Sequence, residues 1–428
     1  MSGNDKRPLM PRLRFPEFVG QWLREILLKD VTAESTERNG ENFSTMPVMG
    51  VSKTEGIVPM EERLIASDIA RYRIVQKDWF AYNPMRLNIG SIAQWKGEQN
   101  ILVSPDYVVF KCLDGADPGV DPSYLNHFRQ SDVWKKFVSE GGDGGVRVRI
   151  YYRDLARLQL VLPWRNEQQK IAACLSSLDE LITAETRQLD ALKTHKKGLM
   201  QQLFPREGET VPRLRFPEFR EAGEWEIVPM RSLLARNPEY GVNAPAVPYS
   251  NDLPTYLRIT DIDGDGLFHH EAKASVDIVA ADDNYLEPGD IVLARTGASV
   301  GKSYRYRTED GRLVFAGFLI RIQPESKKVN SIFLANFLTT QQFWHWVGVT
   351  SARSGQPGIN GTEYSSLPVP LPSSISVDRG LLEQKRIAAC LSSLDDLIAA
   401  QSQKIATLKT HKKALMQQLF PVPGEAAA

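Results

Sequence analysis

Two stretches of the chain carry the same apolar stripe. In the first, Ile171, Leu175, Leu178, Ile182, Leu189, Leu192, Leu199 and Leu203 follow in steps of four and three, with Glu185 and Lys196 as polar breaks. The second repeats the pattern as Ile387, Leu391, Leu394, Ile398, Ile405, Leu408, Leu415 and Leu419, broken at Gln401 and Lys412. Such steps predict a helix whose narrow seam is covered by another helix. Asn166, with Gln169 three residues on, is a candidate N-cap, and Pro205 and Pro421 stop the two helices at matching points. About 38 residues at 1.5 Å each make a rod of about 57 Å. A stripe so narrow on a rod so long needs a partner. Joining the two copies in one antiparallel coiled coil is the simplest arrangement, with the intervening segments expected at its opposite ends. The plainer alternative, each stripe packing on its own neighbouring segment, explains less well why the same seam occurs twice.

The stripes sit in longer repeats. Glu167 to Pro205 aligns without a gap on Glu383 to Pro421, identical at 27 of 39 positions. PRLRFPEF at Pro11 to Phe18 recurs unchanged at Pro212 to Phe219, followed by Trp22 and Trp225 respectively. The chain therefore reads as two half-proteins in tandem. Its expected layout is an N-terminal segment (1–18), a first insert (19–165), a central long helix (166–205) and a linker bearing the second octapeptide (206–219). A second insert (220–382), a distal long helix (383–421) and a tail (422–428) complete it. The inserts show little identity with each other, so the frames are expected to meet one kind of partner twice while the inserts meet different things.

Both inserts read as mixed α+β. Short β-rich runs occur at Arg73 to Val75, Tyr107 to Phe110 and Val146 to Tyr152 in the first, with a helix at Asp132 to Val138. The second has runs at Tyr256 to Ile259, Asp290 to Ala294 and Leu313 to Ile322, and a helix at Ile332 to Val347.

Composition narrows the function classes. With 428 residues, 42% hydrophobic and 24% charged, the chain suits a multidomain globular protein. No apolar run reaches spanning length, and Met1 to Met10 lacks a secretory apolar core, so a cytoplasmic location without membrane attachment is expected. Three cysteines without a CxxC pair weigh against a disulfide framework or a structural metal. The 52 basic and 52 acidic residues cancel, with 19 against 19 in the first insert and 15 against 19 in the second. That balance disfavours a lone nucleic-acid binder. It leaves room for a subunit that reads bases while a partner holds phosphates.

Three motifs suggest chemistry and fail on spacing. Arg295 to Ser303 (RTGASVGKS) has three residues between Gly297 and Gly301, where a phosphate loop needs four. DIDGDG at Asp261 to Gly266 opens like a calcium loop, but Ala272 occupies the place of the bidentate Glu. Tyr82-Asn83-Pro84-Met85 partly matches the element with which adenine methyltransferases grip their base, yet it lacks the second Pro and the aromatic, and no glycine-rich cofactor fingerprint precedes it. The six histidines, among them His195 and His411 at repeated helix positions, show no catalytic pairing. No catalytic or metal-binding residues are assigned.

What remains is polar and basic with aromatics interleaved. The candidate DNA-contacting residues are Asn83, Arg86, Asn88, Ser91, Lys96, Arg147 and Arg149 in the first insert. In the second they are Arg295, Thr296, Ser299, Lys302, Ser303, Arg305, Arg353 and Gln356. Arg can bond a guanine bidentately and Asn or Gln an adenine. Alternation would put Arg147, Arg149, Tyr151 and Arg153 on one strand face, and would interleave Lys302, Tyr304 and Tyr306 with Ser303, Arg305 and Arg307. Taken singly, each cluster also fits a solvated edge strand.

This layout resembles the specificity subunits of type I restriction-modification systems. The resemblance covers nearly the whole chain. It rests on the entries Trp164 to Ile171 and Leu381 to Ile387 into helices ending LMQQLFP, on RFPEF followed by Trp, and on YLRITDI, LEPGDIVLARTGASVGK and LPVPLP. The familiar phrases are sparser in the first insert. The resemblance implies an α+β fold of two target recognition domains separated by two long antiparallel coiled-coil helices. It also implies that each domain reads half of a bipartite site in double-stranded DNA, and that the helices dock two methylation subunits and set the half-site spacing. The chain would be non-catalytic and bind no cofactor. S-adenosylmethionine, and ATP with magnesium, would sit on partner subunits, restriction subunits among them. Two alternatives remain on the residues alone: a coiled-coil scaffold that reads no DNA, and a stand-alone DNA-modifying enzyme.

Overall fold

The computed structural model describes residues 10–40, 46–117, 119–141, 149–352, 356–372 and 377–420. The chain forms two compact units, one of residues 1–186 with 403–428 and the other of residues 187–402. The central helix, Arg165–Leu203, and the distal helix, Val377–Leu419, each contribute a segment to both. The distal helix begins earlier than Glu383, and Asn166 lies in the first turn of the central helix, its Oδ1 accepting from the Glu167 amide at 2.9 Å. Among the described residues no helix is long and apolar enough to cross a membrane.

In the first unit, strands Thr32–Ser35, Val108–Cys112, Phe80–Tyr82 and Ile92–Gln94 form an antiparallel sheet in that order. Helices Pro122–Phe128 and Asp132–Glu140 follow, capped by Asp121 and Ser131, whose side-chain oxygens accept from backbone amides of the first turn. Ile171 and Leu175 of the central helix enter this core beside Leu419 and Phe420 of the distal helix, and the Phe420 ring meets Tyr124 and Phe128 edge-on at 5.3 and 5.5 Å.

The second unit has two four-stranded sheets. One runs Glu239–Tyr240, Leu319–Ile322, Ile291–Ala294, Ser303–Arg305; the other runs Ala246–Pro248, Ala274–Val276, Thr255–Leu257, Leu313–Phe315, with its last pair parallel. Helices Ser331–Phe337 and Gln341–Thr350 are capped by Asn330 and Thr340. Here Ile387 and Leu391 of the distal helix share the core with Leu203 and Phe204 at the end of the central helix.

Within each unit the two helices pack antiparallel. In the first, Asp179 pairs with Lys412 at 2.6 Å and Glu185 with Lys404 at 2.7 Å, so the α-helical partner falls as the other rises. In the second, Lys196 pairs with Asp395 at 2.6 Å. Seam residues Ile171, Leu175, Leu203, Ile387, Leu391, Ile405 and Leu419 are buried. Leu178, Ile182, Leu189, Leu192, Leu199, Leu394, Ile398, Leu408 and Leu415 are half-buried, as a two-helix contact leaves them. Three polar breaks bond across the paired helices: Glu185 to Lys404, Lys196 to Asp395, and Lys412 to both Asp179 oxygens, while Gln401 is buried.

Three local expectations change. Leu313 to Ile322 is two strands in different sheets, because the chain turns at Ala316–Phe318, where Gly317 packs against the backbone of residues 241–243. The helix expected over Ile332 to Val347 breaks at Leu338–Thr340, where the Thr340 hydroxyl caps a second helix through the Phe343 amide. Of Val146 to Tyr152, the described part holds no strand. Tyr152–Leu155 is a helical turn closed by Asp154 on the Tyr151 amide, so Arg149, Tyr151 and Arg153 share no strand face.

Candidate nucleic-acid interface

The two octapeptides explain their own repetition. Arg14 makes a bidentate bond to Glu167 at the start of the central helix, 2.7 and 2.6 Å, and Arg215 does the same to Glu383 of the distal helix, both at 2.8 Å. The Leu13 amide donates to the Gln418 carbonyl at 3.0 Å, and the Leu214 amide to Gln202 at 2.9 Å. Lys170 lies over the Phe15 ring and Arg386 over Phe216. One residue after each of these glutamates, Gln168 and Gln384 accept from the amides of Asp121 and Asn330, the caps of matching insert helices. The frame thus clamps each insert by the same contacts.

In the second unit the turn after strand Ile291–Ala294 is held on several sides. The Arg295 amide donates to Phe318 O at 3.1 Å, and Ile359 N to Arg295 O at 2.9 Å. Thr296 bridges Gly358, and the Gly297 amide donates to Pro357 O at 3.0 Å. Tyr364, fully buried, closes the turn: its hydroxyl accepts from Gly301 N at 3.1 Å and donates to Ala294 O at 2.8 Å. Gly297 has φ +72, and Gly301 φ +87 with Val347 methyls 2.9 Å from where a Cβ would stand. Both positions therefore need glycine.

This clamp gathers Arg295, Thr296, Ser299 and Gln356 around one turn, with the Gln356 amide nitrogen 3.1 Å from an ideal Cβ on Gly297. Exposed Phe318 and Tyr240 flank it, Tyr240 lying under the Arg295 guanidinium at 4.8 Å. Ser303 and Arg305 lie on the following strand; burial, then the neighbouring Arg307, lowers the Arg305 pKa. Two parts of the expected strand face are corrected. Lys302 is committed, its Nζ donating to the Ile262 carbonyl, and Tyr304 and Tyr306 point into the core, Tyr304 donating to Asp310 at 2.6 Å. Arg353 lies outside the described residues.

In the first unit Asn83, Arg86 and Asn88 share the loop between strands Phe80–Tyr82 and Ile92–Gln94, where Asn83 Oδ1 accepts from the Met85 amide at 3.0 Å. Arg86, Asn88, Lys96 and Arg149 are exposed. Ser91 is corrected: it is 4% exposed and its hydroxyl donates to Val51 O, which leaves no free edge for a base. Arg147 lies outside the described residues. Asn88 also lines a cleft of about 720 Å³ with Lys53, Arg129, Lys135, Lys409 and Lys413. Burial pushes Arg129 down to about 10. Sequence reasoning missed this basic cleft because its parts are scattered along the chain. It also missed Tyr240, whose role depends on a fold contact. Among the described residues no cluster of His, Cys, Asp and Glu could hold a metal ion.

Residues 239–410, which include the clamped turn, match the family model of the type I restriction modification DNA specificity domain. Over that stretch the chain is similar to the type I specificity subunits. The putative MjaX specificity subunit of Methanocaldococcus jannaschii is 24% identical over 84% of this chain and 81% of its own length. The MjaVIII specificity subunit of the same organism is 26% identical over 70% of each. In fold, the specificity subunit of M. genitalium covers 96% of this chain and 99% of its own at TM-score 0.58 and 11% identity. A chain from a structure on assembly and conformational transition of the type I system covers 94% and 98% at TM-score 0.54 and 18% identity. The fold of α+β inserts and paired helices is thus shared with these specificity subunits, as the sequence indicated.

Proposed function

We propose that each insert reads one half of a bipartite site in double-stranded DNA, and that the paired helices dock two methylation subunits and set the half-site spacing. One observation supports this most strongly: the same clamp, Arg14 on Glu167 and Arg215 on Glu383, is built twice around inserts of dissimilar sequence. A repeated frame suits a repeated protein partner, and divergent inserts suit two different stretches of bases. In this reading the chain performs no chemistry. Methyl transfer from S-adenosylmethionine, and cleavage with ATP and magnesium where restriction subunits join, belong to partners. The neutral net charge fits, since the partners would supply most phosphate contacts.

The test compares the pure chain with the chain plus its cognate methylation subunit, given S-adenosylmethionine and genomic DNA. The pure chain is expected to methylate nothing and the complex to modify a split sequence. Methyl transfer by the chain alone, or an unsplit motif, would refute the reading.

A further inference from the structure

The clamped turn of the second unit contains one charged group with nothing to bond. Arg295 has its Nε buried without a hydrogen-bond partner, and its guanidinium has no carboxylate or carbonyl mate among the described residues. Buried donors are normally paired, and an unpaired one costs stability. Yet the side chain is held firmly. Its guanidinium lies over the Tyr240 ring at 4.8 Å, and the Tyr240 hydroxyl is itself fixed by accepting from Gly361 N at 3.1 Å. The backbone of Arg295 is bonded on both sides, to Phe318 and Ile359. Stacking occupies one face of the guanidinium and burial closes its Nε, so the two terminal Nη groups are the ones left for a planar acceptor. Beside it lie a glutamine amide, Gln356, and an exposed phenyl ring, Phe318.

We infer that Arg295, stacked on Tyr240, is a specificity-determining residue that reads a guanine by two N–H bonds to its O6 and N7. This rests on the proposal that the second insert reads a DNA half-site. A phosphate would also accept two bonds, but phosphate clamps gather positive charge, and the second insert carries 15 basic against 19 acidic residues. A rigid, stacked fork suits a base edge, and bidentate Arg–guanine contact is the commonest specific one in the major groove.

The experiment uses the complex with its methylation subunit in cells lacking other methylation, with modified sites read by sequencing. The wild-type half-site assigned to the second insert by insert exchange should contain a G·C pair. Arg295→Lys keeps the charge and loses the fork, so discrimination at that pair should fall at least about tenfold. Every other position, including the first half-site, should stay unchanged. Tyr240→Leu should relax the same position. As a measurement that needs no variant, 7-deazaguanine at that position in a duplex should slow modification by the wild-type complex at least about tenfold. The inference is overturned if the half-site holds no G·C pair, if 7-deazaguanine anywhere in it is without effect, or if Arg295→Lys keeps full discrimination. A uniform loss at all sequences would mark a phosphate contact and overturn it too. A half-site that ignores exchange of the second insert would instead defeat the broader reading.

Discussion

Removing Arg215 should cost the second unit far more than removing its near neighbour Arg213. Arg215 and Glu383 have side chains only 6% and 1% exposed, and the two bonds between them are joined by a third from Arg215 to Gly223 O at 2.6 Å. Breaking such a pair by truncating one partner leaves a carboxylate buried and unpaired, about 3–5 kcal/mol. Arg213 faces Glu209 at 3.3 Å with both side chains largely in water, and Arg213→Ala should cost about 0.2–1 kcal/mol. Glu383→Gln should resemble Arg215→Ala, whereas Arg215→Met with Glu383→Leu should come back near neutral, because the desolvation cost vanishes with both charges. Urea unfolding gives the totals. Hydrogen exchange on peptides covering 215–233 and 383–391 assigns the loss to the second unit. Arg14→Ala should produce the same loss in the first unit and spare the second, since Arg14 and Glu167 are buried to the same degree. Equal costs for Arg215→Ala and Arg213→Ala would refute the view that the octapeptide clamps the distal helix.

Further outcomes follow from the seam and the first core. Burial, then the Lys412 ammonium, pushes His127 down to about 4 from 6.5. Its folded form therefore resists protonation, so the first unit should hold its stability above about pH 6.5 and lose up to roughly 3 kcal/mol as pH falls toward 4. Denaturation curves of His127→Gln should show a flatter profile over that range. Leu192→Asp, in the half-buried seam, should cost roughly 1–3 kcal/mol, while Leu397→Asp, at an outward position 54% exposed, should stay within about 0.5 kcal/mol. Duplicating Leu181 to Ala184 adds about 6 Å of helix. Sequencing of modified sites should then show a spacer longer by about one or two base pairs at 3.4 Å each, with both half-sites unchanged.

The frame was legible in the sequence because a heptad seam and an exact octapeptide are local signals. What the octapeptide does was not: Arg14 and Glu167 are 153 residues apart, and only the fold shows that they meet. Likewise, the inserts share little sequence, yet Asp121 and Asn330 cap matching helices and bond matching glutamines. Short polar caps tolerate exchange of Asp for Asn, so the likeness leaves no run of identities. The tyrosines of Lys302 to Arg307 were misjudged because alternation tells which residues share a face but not which face is inside. Ser91 failed for a related reason, as a small hydroxyl is equally at home on a base or on a buried carbonyl. The clamped turn was visible as RTGASVGK, but its stacking partner Tyr240 lies 55 residues earlier on another strand.

The central claim is that the two inserts read DNA independently within a shared frame. It is tested most directly by replacing Val19 to Arg165 with the corresponding insert of a relative of different specificity. The variant is expressed with the methylation subunit, and every modified site in the genome is sequenced. The account predicts that one half of the split motif changes to the relative's, while the other half and the spacer stay as they were. A motif altered in both halves, or in neither, would contradict it.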